Sequence, residues 1–132
     1  MSDNVPADLR YTKDHEWAKG SGSEVTVGIT GFAVEQLGDI TLVTFDVKAG
    51  DEVTAGKAFG TIESVKTLSD LLAPISGRIV KVNADLETKP ELVNEDAYGK
   101  GWMVVIAPKD GGETGKLMDA KAYGEFMKAA AH

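Results

Sequence analysis

Short apolar segments follow one another closely along this chain, each closed by glycine, proline, asparagine or aspartate. That rhythm leaves no room for the long crossover helices that a parallel sheet needs. Residues 24–29 alternate polar and apolar after the loop Lys19-Gly20-Ser21-Gly22-Ser23. Residues 40–47 are apolar and β-branched, and they stop at Lys48-Ala49-Gly50-Asp51. Segments 52–54, 58–65, 68–73 and 78–82 repeat the pattern between turn signals, and 102–107 is a last apolar run closed by Pro108. The prediction is an all-β sandwich or barrel of short antiparallel strands. Three helical pieces accompany them. Residues 31–37 lie between a capping Thr30 and a terminating Gly38. Residues 90–94 make a single turn, and a tail helix over about 119–130 is capped by Asp119. In the tail, Tyr123, Phe126 and Met127 share one side, so that helix needs a sheet to lie on. Gly111-Gly112-Glu113-Thr114-Gly115 before it reads as a flexible connector. At 132 residues with 42% hydrophobic content, the whole chain 1–132 is expected to form one domain with its own core.

Most reaction chemistry lacks its parts. There is no cysteine, which excludes disulfides, thiolate metal sites and intrinsic dithiol redox. Gly-Lys is never followed by Ser or Thr in a phosphate-loop frame, and Gly20-Ser21-Gly22-Ser23-Glu24-Val25 has Val where a dinucleotide fingerprint needs Gly. Two histidines, His15 and His132, are poor material for a metal cage or a nucleophilic triad. The acidic run Asn94-Glu95-Asp96 lacks EF-hand spacing and reads as solvated surface. A net charge of −7 argues against nucleic acid or an anionic membrane as the main partner. No apolar stretch approaches membrane-span length, and the first residues carry no targeting pattern, so a cytoplasmic protein is expected. These observations favour a carrier or binding module over an enzyme.

One segment remains: Ala58-Phe59-Gly60-Thr61-Ile62-Glu63-Ser64-Val65-Lys66-Thr67-Leu68-Ser69-Asp70-Leu71. A strand entering at Val65 and another leaving at Leu68 put Lys66 at a hairpin tip. The amine there is exposed on a rigid support, within reach of a modifying enzyme. Taken alone, one of twelve lysines at a loop tip is more simply a solubilising residue.

The segment does not stand alone. Glu63-Ser64-Val65-Lys66, with Ser69-Asp70 and Ala73-Pro74-Ile75-Ser76-Gly77, resembles the lipoyl-attachment region of the H proteins of the glycine cleavage system. The likeness extends through Tyr11 with His15-Glu16-Trp17, Val27-Gly28-Ile29-Thr30 and Leu37-Gly38-Asp39-Ile40. It continues in Pro90-Glu91-Leu92-Val93-Asn94, Tyr98-Gly99 and Gly101-Trp102. Ala97 stands where many members have Pro, and Asp14 where a small hydroxyl residue is common. Biotin carriers flank their lysine with Met, whereas Val65 and Thr67 flank it here. Lipoyl domains of 2-oxo-acid dehydrogenases usually put Asp before the lysine and lack the N-terminal block and the tail helix.

The resemblance implies a lipoyl/biotinyl-like hybrid barrel-sandwich with lipoic acid in amide linkage to Lys66, so that the cofactor brings the sulfurs the chain lacks. It implies a non-enzymatic carrier visiting three partners. These are a pyridoxal-phosphate glycine decarboxylase that loads an aminomethyl group, a tetrahydrofolate-dependent aminomethyltransferase that removes it, and a dihydrolipoyl dehydrogenase that reoxidises the dithiol. A lipoylating enzyme is the fourth partner, reading a turn shaped by Glu63, Ser64 and Val65. Glu16 and Asp70 are the carboxylates implied to receive the loaded arm's amine. Acylating Lys66 takes the formal charge from −7 to −8. The exposed acids Glu91, Glu95 and Asp96 are expected to steer basic partners. An H-like protein that relays lipoyl groups to other complexes, or a non-lipoylated interaction module, is the alternative. The setting implied is a bacterial cytoplasm, or a mitochondrial matrix for a processed eukaryotic chain.

Overall fold

Nine short strands form among residues 6–20, 23–110 and 112–130, the parts of the chain described in this computed structural model. They are β1 (Arg10–Tyr11), β2 (Glu16–Lys19), β3 (Val25–Ile29), β4 (Ile40–Phe45), β5 (Glu52–Val53), β6 (Ala58–Ser64), β7 (Leu68–Leu72), β8 (Gly77–Val82) and β9 (Val104–Pro108). Every pairing is antiparallel. One sheet runs β1-β2-β3-β9-β8-β5 and the other β4-β6-β7. The inward residues of both sheets meet in one core: Val25, Val27 and Ile29 from β3, Val43 from β4, Ile62 from β6, Leu71 from β7, Ile79 from β8 and Ile106 from β9. Two packed antiparallel sheets give an all-β barrel-sandwich: the segment rhythm predicts a sandwich or barrel of short antiparallel strands, and the resemblance implies the hybrid form. Gly60 and Gly77 are required by close approach, since a Cβ on either would run into the carbonyl of Thr44 or of Ala107.

Four helices close the gaps: α1 (Gly31–Leu37), α2 (Asp85–Thr88), α3 (Glu91–Glu95) and α4 (Ala120–Ala130). Their ends follow local chemistry. The Thr30 hydroxyl accepts the Ala33 amide at 3.2 Å to start α1, and Gly38 ends it with φ 81°. Asp119 accepts the Ala122 amide at 2.8 Å to start α4. Leu86 and Val93 anchor α2 and α3 to the main core. A second core, formed by Leu9, Tyr11, Trp17, Tyr123 and Met127, fixes α4 to the β1–β2 end of the larger sheet. Burying a large side chain yields about 1.5–3 kcal/mol, so Tyr123 and Met127 together outweigh the roughly 1 kcal/mol cost of Gly124.

Three local readings need correction. Strands β1 and β2 lie where no strand is predicted: β1 has two residues, and Glu16, Trp17 and Ala18 of β2 are all buried, so neither alternates. Helix α2 has no side-chain cap to announce it. The expected connector at 111–115 is in part a 3-10 turn over Glu113–Lys116, in which Thr114 is buried and Glu113 accepts the Ser76 amide at 2.9 Å. Gly111 of that connector, and Ser21 and Gly22 of the β2–β3 loop, lie outside the described residues.

Candidate functional site

The β6–β7 hairpin brings Lys66 to an exposed tip. Ser64 builds the turn. Its amide donates to the Thr67 carbonyl at 2.8 Å, while its hydroxyl oxygen accepts the amides of Lys66 and Thr67, each at 3.2 Å. A serine oxygen collecting two amides substitutes for a main-chain turn bond and leaves the lysine side chain uncommitted. Val65 points outward at 66% exposure, and its amide is held by the Asp39 carbonyl at 3.0 Å. Glu63 is exposed, with its carbonyl accepting the Thr41 hydroxyl at 3.1 Å.

Register then adds something that the sequence alone hides. Leu42 faces Glu63, and Glu63 faces Leu68, across β4, β6 and β7. Leu42, Val65 and Leu68 are the exposed large hydrophobic residues among those described; Val65 and Leu68 lie within two residues of Lys66, and Leu42 lies across Glu63 from Leu68 at the same end of the sheet. In the sequence Leu42 sits in an apolar, β-branched run and Leu68 opens a candidate strand, and neither is singled out as part of a site. An apolar collar around one exposed amine suits a long aliphatic acyl group and the enzymes that handle it.

The two carboxylates singled out from the sequence have unlike surroundings. Asp70 is exposed on β7 and faces Thr61. Glu16 is only 3% exposed. One carboxyl oxygen accepts the Thr12 hydroxyl at 2.7 Å and the other accepts the Leu72 amide at 3.3 Å, two residues along β7 from Asp70. Burial pushes the Glu16 carboxyl up to about 8, against the smaller opposing pull of those two hydrogen bonds. Glu16 also lines a cleft with Thr12, Lys13, Ala73, Pro74 and Met118.

Behind Glu16 the chain is tightly tied. His15 takes the left-handed conformation (φ 67°) in the β1–β2 turn, one that His tolerates better than most residues. Its Nδ1 meets the Tyr123 hydroxyl at 2.7 Å, and that hydroxyl meets Thr30 Oγ1 at 2.7 Å. Desolvation lowers the His15 pKa despite the neighbouring Asp14 charge. Trp17 donates its indole N–H to the Ala97 carbonyl at 3.0 Å and is a core residue. Trp102 is half-buried, with the Lys81 ammonium 5.5 Å from its ring centre. No helix among the described residues is long and apolar enough to cross a membrane.

A barrel-sandwich of two small antiparallel sheets, with a lysine lifted on a hairpin tip, defines the lipoyl-type class of carrier fold. Comparison with known proteins narrows the class. The family model for the glycine cleavage H-protein matches residues 9–130. A glycine cleavage system H protein of Myxococcus xanthus is 50% identical over 128 residues, covering 97% of this chain and 98% of the relative. That of Geobacillus thermodenitrificans is 52% identical over 124 residues, covering 94% and 97%. The crystal structure of a glycine cleavage system H protein from Mycobacterium marinum superposes with a TM-score of 0.83 at 39% identity, covering 97% of this chain and 100% of that one. The chain belongs to the glycine cleavage H-protein family.

Proposed function

We propose that this chain is a lipoylated carrier without catalytic activity of its own, modified at Lys66. In this reading it passes an aminomethyl group from a pyridoxal-phosphate glycine decarboxylase to a tetrahydrofolate-dependent aminomethyltransferase, and electrons to a dihydrolipoyl dehydrogenase. The observation that carries the reading is the exposed Lys66 on the Ser64-braced tip, in a chain of this family. The site fits the group, because the collar of Leu42, Val65 and Leu68 suits an aliphatic acyl chain. Lipoate on Lys66 would supply a disulfide able to accept a carbon fragment and two electrons, chemistry that a chain without cysteine cannot supply itself.

The protein's own residues orient and retain. The hairpin holds the arm's root while the arm stays free to sweep, which raises its effective concentration at each visited enzyme. Asp70 and Glu16 lie along one direction from Lys66 and are the carboxyls assigned to an amine at the arm's end. Glu16 would meet that amine largely as the neutral acid at neutral pH, and an arriving cation would draw its pKa back down. The exposed acids Glu91, Glu95 and Asp96 favour approach by basic partner surfaces. A bacterial cytoplasm is the setting assigned, in keeping with the bacterial relatives.

Intact mass and peptide fragmentation of protein from a lipoate-supplied host test the reading. The expected result is one lipoyl adduct on Lys66, lost in Lys66→Arg. An unmodified Lys66 in a host that lipoylates its other carriers would overturn it.

A further inference from the structure

The tip of the β6–β7 hairpin has little packing of its own, since Val65, Lys66, Thr67 and Leu68 are all exposed. Its long-range main-chain tie is the bond from the Val65 amide to the Asp39 carbonyl. Asp39 belongs to a short strap, residues 38–40, that runs from the end of α1 into Ile40, the first residue of β4. Gly38 of the strap lies under the lysine: a Cβ there would stand 3.4 Å from Lys66 Cε and 3.6 Å from Cδ. Ile40, at the end of the strap, pairs with Ser64, and the β4–β6 register slips between Ile40 and Leu42, so the strap's pairing is not continuous with the rest of β4.

One side chain from another element grips this strap on both sides of Asp39. Asn94, on α3, accepts the Ile40 amide at 2.9 Å through Oδ1 and donates from Nδ2 to the Gly38 carbonyl at 3.0 Å. We infer that Asn94 is the positioning residue for the modified lysine. By locking the strap it fixes the Asp39 carbonyl, through that carbonyl the Val65 amide, and so the root of Lys66. The inference rests on the carrier reading above. The Asn94 hydrogen bonds go to the strap and not to Lys66, and Asn94 acts by limiting the hairpin orientations that a lipoylating enzyme meets. An amide is required at this position because one strap group is a donor and the other an acceptor.

Two measurements on the full-length chain test this. The first is hydrogen exchange at the Val65 amide, read against Ile62 in the body of β6. The second is lipoylation of Lys66 by a purified lipoate ligase supplied with lipoate and ATP. In that reaction Nζ takes the acyl group from the acyl-adenylate and AMP leaves. In Asn94→Ala, Val65 is expected to exchange about tenfold faster with Ile62 unchanged, and kcat/KM for the carrier to fall about tenfold, from the loss of two modest hydrogen bonds. Asn94→Asp keeps the acceptor for Ile40 but sets a carboxylate oxygen against the Gly38 carbonyl, so it is expected to lose at least as much. A Val53→Ala chain, destabilised away from the strap, should keep wild-type ligation kinetics. Faster Val65 exchange with unchanged ligation would make Asn94 merely structural and overturn the inference, as would Asn94→Ala matching wild type in both readouts. A wild-type chain that accepts no lipoyl group sinks the carrier reading itself, and this inference with it.

Discussion

The two ends of β7 present opposite solutions to holding a polar group. At the Lys66 end the charged group stands in water on a turn braced by one serine and tied to a strap, with apolar residues exposed around it. At the Glu16 end a carboxyl that is largely neutral at neutral pH is buried beside the second core and bonded to Thr12 and Leu72, with every buried side-chain polar atom among the described residues satisfied. The first end makes a group available; the second sets a group's protonation by its surroundings. Packing is accordingly close around Glu16, and exposure is concentrated around Lys66.

The contrast breaks most readily at Trp17. Trp17→Ala removes the largest side chain of the second core together with its bond to Ala97. It should cost about 3–5 kcal/mol, measured by urea unfolding. A loss under about 1 kcal/mol would show that this core does not carry the β1–β2 end.

The Glu16 carboxyl offers a finer probe. Its folded pKa of about 8 lies above its unfolded value, so between the two the native state holds a proton that the unfolded chain has released. Its contribution is fully present below the unfolded value and is lost as pH rises through the folded one. Wild-type stability relative to Glu16→Gln should therefore fall by about 4 kcal/mol from about pH 5 to about pH 9, at about 1.4 kcal/mol per pKa unit. Parallel stability curves for the two chains would remove the electrostatic half of the comparison.

The smallest expected effect lies at the other end. Leu68→Ser should change stability by no more than about 0.5 kcal/mol, since the side chain is 63% exposed, while weakening handling of the hairpin by a lipoate ligase. A large loss of stability would mean that the collar is structural.

What the sequence makes legible follows from how locally each feature is encoded. Strands β3 to β9 announce themselves through β-branched runs and turn residues, and α1 through Thr30 and Gly38, because those signals act within a few positions. Lys66 at a tip follows from the strands on either side of it. Strand β2 does not show, since burial on both faces erases alternation, and neither does α2, which lacks a capping side chain. The grip of Asn94 on residues 54 and 56 positions away leaves no periodic trace, and neither does the row of Leu42, Glu63 and Leu68, which only strand register assembles. The burial of Glu16 is equally silent, because only the fold brings Leu72 of β7 to a carboxyl whose other partner, Thr12, lies in the turn just before it.

Strand β7 lies at the border of its sheet, and the amide of Ala73, just past its end, turns inward to the Lys57 carbonyl. The preceding amide, that of Leu72, points the other way, and the Glu16 carboxyl receives it. A bare strand border recruits strands from neighbouring molecules. Glu16 thus also stoppers the border where a second chain could begin to zip on.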